Sequence, residues 1–111
     1  MSGSTSVRPA KTVREVLIAA RWILEHNGWT RGNMCERNGV QSDVFSARTG
    51  DCFCAMGAIW ATESNEDLRQ RSLVALRVFA AVSSIPYWND APGRTKADVL
   101  AAFDRAIEAH Q

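Results

Sequence analysis

The strongest constraint on the fold lies between Thr12 and Gly28, where a helix start, a helix stop and a helical stripe occur in one run. Thr12-Val13-Arg14-Glu15 has the form of a capping box: the hydroxyl takes an orphan backbone N–H, and the carboxylate three residues on reaches back to the cap. Gly28 supplies the left-handed conformation that ends helices, so the pattern predicts a helix over 13–27. At about 100° per residue, Val13, Val16, Leu17, Ala20, Ile23 and Leu24 form one stripe and face a core. Ile18 and Trp22 are four residues apart and stack nearly opposite that stripe. Arg14, Arg21 and Glu25 line one edge of the pair and Glu15 lines the other. Either the preceding residues or a loop folds over the pair, or it is an exposed anchor for another protein. A Trp among arginines is a common composition for such anchors.

Beyond Trp29 the helical period is lost until residue 52. Asn38-Gly39 suits a two-residue hairpin turn, flanked by Met34–Arg37 and Val40–Asp43 as short strands. Arg48–Asp51 reads as a further turn, with Thr49 or Asp51 capping a second helix over 52–62. That helix is apolar on most sides, through Phe53, Cys54, Met56, Ala58, Ile59 and Trp60, and Gly57 permits close approach. Acidic first-turn residues open a third helix over 66–82. Its second half, residues 73–82, holds a single charge and predicts the central helix of the fold. Ser83–Pro86 ends it, because proline disfavours helix at the residue before it. Residues 87–94 read as a loop with Pro92-Gly93 at the centre of a type II turn. Thr95, with Asp98 three residues on, caps a last helix to about residue 109, with Val99, Leu100, Phe103 and Ile107 buried. The expected architecture is mainly α: about four helices packed in one domain, with a short β-hairpin after the first. Residues 1–11 read as a flexible leader and 12–111 as the single helical domain.

At 111 residues the chain suffices for one core, without disulfides or metal to hold it. Thirteen basic against twelve acidic residues argue against binding nucleic acid through a global positive field. Nothing approaches a membrane-spanning apolar run, and the first residues carry no apolar signal core, so a cytoplasmic location is expected. The three cysteines, Cys35, Cys52 and Cys54, fit free thiols in a reducing compartment. A disulfide from Cys35 to either of the others stays open. Cys52-Phe53-Cys54 matches neither a redox C-x-x-C nor a zinc spacing, so no metal and no cofactor is expected.

The segment Ile85-Pro86-Tyr87-Trp88-Asn89-Asp90-Ala91-Pro92-Gly93-Arg94-Thr95, continued by Val99-Leu100 and Phe103–Ile107, is specific enough to point to a family. With Gly28-Trp29 closing the first helix and Cys54-Ala55-Met56-Gly57-Ala58 in the second, the chain resembles small uncharacterised proteins of actinobacteria and their bacteriophages. Eleven Arg to two Lys suits a GC-rich genome such as that of a mycobacterium or its phage. The resemblance implies a fold and an origin and brings no activity.

Three functions compete. The first is a non-enzymatic interaction protein, such as a phage product that binds and modulates a host protein, or a homodimer. Its surface would be Ile18 and Trp22 with Arg14, Arg21 and Glu25. The second is a cysteine-dependent hydrolase: Cys52 or Cys54 near a helix N-terminus, His26 as base, and Asn89 or Asp90 to orient it. The third is a helix-turn-helix regulator built from the second and third helices. Its recognition helix would open on Glu63, Glu66 and Asp67, the wrong sign for phosphates, with only Arg69, Gln70 and Arg71 to offset them. For Trp88, Asn89, Asp90 and Arg94 two readings stand. One is a locked loop, with Trp88 in the core and Arg94 on Asp90 or a helix C-terminus. The other is a cleft presenting Asp90 and Arg94 to a ligand.

Overall fold

The computed structural model describes residues 12–31, 35–37, 40–41, 52–63 and 65–110. The expected leader over residues 1–11, the Asn38-Gly39 turn and the turn at residues 48–51 lie outside them. Helix α1 (Val13–His26) is followed by strands β1 (Cys35–Arg37), β2 (Val40–Gln41) and β3 (Cys52–Phe53). Helices α2 (Ala55–Thr62), α3 (Glu66–Ala80), α4 (Ile85–Asp90) and α5 (Lys96–Ala109) complete the chain. The fold is mainly helical, as the sequence predicts.

Helix α1 starts as its sequence dictates. Thr12 Oγ1 accepts from the Glu15 N–H at 3.1 Å, and Glu15 Oε1 accepts from the Thr12 N–H at 3.1 Å. Val16, Leu17, Ala20, Ile23 and Leu24 are buried, so the predicted stripe is the core face. Gly28, at φ 141°, turns the chain into an extended segment. There the Thr30 N–H donates to Phe53 O, and the Phe53 N–H donates to Gly28 O, each at 2.9 Å. Strand β1 pairs antiparallel with β2 (Arg37 opposite Val40) and with β3 (Cys35 opposite Phe53), giving the order β2-β1-β3.

This pairing corrects the expected start of the second helix. Cys52 and Phe53 are strand residues, because their backbone groups bond across to β1 and the Gly28–Thr30 segment. Helix α2 therefore begins at Ala55, and its cap is Cys54, whose Sγ accepts from the Gly57 N–H at 3.2 Å. Ala55, Gly57, Ala58 and Ile59 are buried, matching the apolar character read from the sequence.

The third helix also departs from expectation. It stops at Ala80, where Ala81 adopts φ 60° and the Val82 N–H reaches back to Arg77 O at 3.1 Å. It is not the central helix. Val74 and Val78 are exposed on its outer side, and although α3 touches α1, α2, α4 and α5, the more extensive packing is that of α1 against α2, α3 and α5. A run of apolar residues carries no angular information, which is why the sequence pattern could not orient this helix.

The predicted loop at 87–94 begins as a helix. Ser84 Oγ accepts from the Tyr87 N–H at 3.3 Å and starts α4. Pro86 falls in its first turn, where a missing N–H costs nothing. The turn at Pro92-Gly93 is as expected, with Gly93 at φ 83° and the Arg94 N–H donating to Ala91 O at 3.0 Å. Thr95 and Asp98 form the second capping box. Val99, Ala102, Phe103 and Ala106 are the buried face of α5, with Leu100 and Ile107 at its margin.

Candidate functional site

On the back of α1, Ile18 is 40% exposed and Trp22 is 56% exposed. They are not part of the core. The Trp22 ring stacks on His26, with centroids 4.1 Å apart and planes 18° from parallel, and His26 Nδ1 lies 2.9 Å from Trp22 O. Beside them runs an apolar groove of about 430 Å³, walled by Glu15, Ile18, Ala19, Trp22, Ile23 and, from the end of α2, Thr62. The sequence placed Ile18 and Trp22 on this face. It could not place Thr62, because only the packing of α2 along α1 closes the second wall.

The opposite edge is tied down. Arg21 Nε lies 2.5 Å from Asp104 Oδ1, Nη2 donates to Oδ2 at 3.4 Å, and Nη1 donates to Glu25 Oε1 at 2.9 Å. The Asp104 hydrogen bond, above all, raises the Arg21 pKa. Lys96 Nζ donates to Glu25 O at 3.1 Å. Predicted residues Arg21 and Glu25 thus act first as a brace between α1 and α5. Arg14 Nε is buried without a hydrogen-bond partner.

The second predicted cluster is a joint. Asn89, fully buried on α4, uses all of its amide. Its Oδ1 accepts from Trp29 Nε1 at 2.6 Å and from the Ala55 N–H at 3.0 Å. Its Nδ2 donates to Thr30 O at 3.1 Å and Asp90 Oδ1 at 3.0 Å. Indole and backbone N–H groups can only donate, so this orientation of the amide is fixed by its partners. Trp88 is buried. Arg94 lies over its ring at 4.8 Å, and Arg94 Nε donates to Trp88 O at 2.9 Å, which caps the end of α4. Arg94 borders a groove of about 430 Å³ with Ser84, Tyr87 and Trp88, whereas Asp90 does not line it. Trp88 in the core and Arg94 on the end of α4 are both features of the locked reading. Trp29, half of this joint, carried no signal in the sequence beyond following Gly28.

Of the two cysteines proposed as nucleophile, Cys54 sits in an environment that disfavours a thiolate. Cys54 is buried and caps α2, and burial is the largest cause pushing its thiol pKa up, with Asp90 adding to the rise. A nucleophilic thiolate needs the reverse. His26 holds to Trp22. At the start of α3, Arg71 pairs with Asp67 at 2.9 Å, and Arg69 turns back to the carbonyls of Glu63 and Trp60. Among the described residues no cluster of three or more His, Cys, Asp or Glu could hold a metal, and no helix is long and apolar enough to cross a membrane.

One surface escaped the sequence reading. Val13, Arg71, Val74, Ala75, Val78, Phe79 and His110 border a groove of about 450 Å³ between α3, the start of α1 and the end of α5. Val74 and Val78 stand four apart, the same spacing that revealed Ile18 and Trp22. The apolar residues on every side of them hid the signal.

A family model described as a family of unknown function, DUF6197, matches residues 8–109. No curated protein and no solved structure matches the chain.

Proposed function

The chain belongs to the DUF6197 family, and we propose that it acts as a small non-enzymatic protein-contact module. One observation carries this reading: α1 is fully apolar on its buried side and still presents Ile18 and Trp22 beside an apolar groove on the other. A tryptophan more than half exposed, beside a groove it can share with a partner side chain, has the chemistry of an interface anchor. The brace formed by Arg21, Glu25 and Asp104 ties α1 to α5 beside the anchor, which favours a pre-formed contact face.

The partner is a protein, supplied by the host cell or by a second copy of the chain. The arginine-rich composition and the Trp88–Thr95 signature support an origin in an actinobacterium or its phage. A phage product of this kind would work in the host cytoplasm by binding and modulating a host protein. The test is the double variant Ile18→Ser with Trp22→Arg. It is expected to keep the wild-type circular dichroism and melting midpoint while losing partner capture. Loss of the fold itself would show that the pair is core, and would remove the reading.

A further inference from the structure

The Ile18/Trp22 face carries a charge pattern that selects its own occupant, and we infer that a second copy of this chain docks there, α1 against α1 in antiparallel order about a two-fold axis. This rests on the contact-module reading and names its partner. Along the exposed side of α1 the sequence runs from Arg14, through Ile18 and Trp22, to Glu25. Arg14 and Glu25 flank the apolar pair on the same edge, one turn beyond it at either end.

In a two-fold antiparallel helix pair each edge meets its own copy, reversed. An axis level with the midpoint of Ile18 and Trp22 sets Ile18 against Trp22 of the second copy. The same axis brings Arg14 beside Glu25 of the second copy, twice over. Arg14 is half-buried at this edge, and Glu25 engages Arg21 through Oε1. Glu25 is also about half exposed. Ala19, beside the groove, is small enough to let a second helix approach. Antiparallel order also sets the positive end of each helix dipole against the negative end of the other.

Size sets the strength. A 14-residue helix is about 21 Å long. One such pair buries less than the roughly 1,200 Å² typical of stable complexes. The dimer is therefore concentration-dependent and dissociates in the micromolar range or above.

Sedimentation equilibrium of the full chain from micromolar to millimolar concentration, with circular dichroism of every variant, tests this. The wild type is expected to pass from monomer to dimer mass. Arg14→Glu alone sets two like-charge pairs across the axis, as does Glu25→Arg alone. Each is expected to weaken association about tenfold. The double variant Arg14→Glu/Glu25→Arg recreates both pairs in reverse and is expected to regain most of the wild-type dimerisation. Trp22→Arg is expected to abolish it. A wild-type chain monomeric at millimolar concentration overturns the self-pairing and leaves a foreign protein as the occupant. A dimer that the double charge reversal fails to rescue overturns the antiparallel geometry. A Trp22→Arg variant that unfolds overturns the contact-face reading as well, so the failures are distinguishable.

Discussion

Replacing Asn89 by aspartate tests the joint at its centre while changing almost no volume. The Oδ1 side survives: the new carboxylate still accepts from Trp29 Nε1 and the Ala55 N–H. The Nδ2 side fails, because an oxygen now faces Thr30 O and the Asp90 carboxylate, both acceptors. Two hydrogen bonds are lost, at about 1 kcal/mol each. A buried charge beside a carboxylate adds about 1–2 kcal/mol, offset in part by the two donors that remain. The expected loss is about 3–4 kcal/mol at neutral pH, and at a urea m-value of roughly 1.5 kcal/mol/M the midpoint falls by about 2 M. The loss depends on pH with a definite sign. Burial and the two facing acceptors raise the folded-state pKa of the introduced acid above its unfolded value. Its proton then supplies the missing donor, so the deficit relative to wild type is smallest below the unfolded pKa and grows as pH rises through the folded one. Urea titrations of both proteins at pH 4.5 and 7, followed by circular dichroism, read this directly. A deficit under about 1 kcal/mol at neutral pH, or one that does not shrink on acidification, would refute the argument.

Three further outcomes are expected. Site-resolved alkylation of the folded chain at neutral pH labels half-buried Cys52 before Cys54. Labelling of Cys54 requires unfolding or pH well above the usual thiol range, since burial raises its pKa. Two of the residues at positive φ respond in opposite directions in a thermal melt: Ala81→Gly raises stability and Gly93→Ala lowers it, each by about 1 kcal/mol. At Gly93 the effect is purely conformational, because a Cβ there meets nothing within 4 Å. Asp104→Ala costs about 0.5–1 kcal/mol at low salt by freeing Arg21, and the difference fades at high ionic strength, because the pair is partly exposed.

What the sequence revealed depends on how locally each feature is encoded. Helices α1 and α5 carry their own capping boxes, and Pro92-Gly93 carries its own turn, so all three were legible within a few residues. Helix α4 was not: six residues are too few for a period, and Pro86 reads as a breaker unless the cap at Ser84 is known. Strand β3 is two residues long and exists through hydrogen bonds to segments far away in the chain. The same division runs through the site. The outward placement of Ile18 and Trp22 follows from helical angle alone, whereas Thr62 in the groove wall and Trp29 beside Asn89 depend on packing between distant segments. Asn89 itself was read as a turn residue because its partners lie 34 to 60 positions upstream.

The clasp of Arg94 on Trp88 has a twin at the end of α2. Arg69 lies 5.0 Å from the centroid of Trp60 and donates to that tryptophan's carbonyl, as Arg94 does to Trp88. Each guanidinium lies over an indole while one of its N–H groups closes a helix end, two tasks suited to a planar, multi-pronged cation. An exchange of arginine for lysine, commonly treated as silent, would unfasten both corners, and so the preference for Arg over Lys written into this chain is built into its architecture as well as its codons.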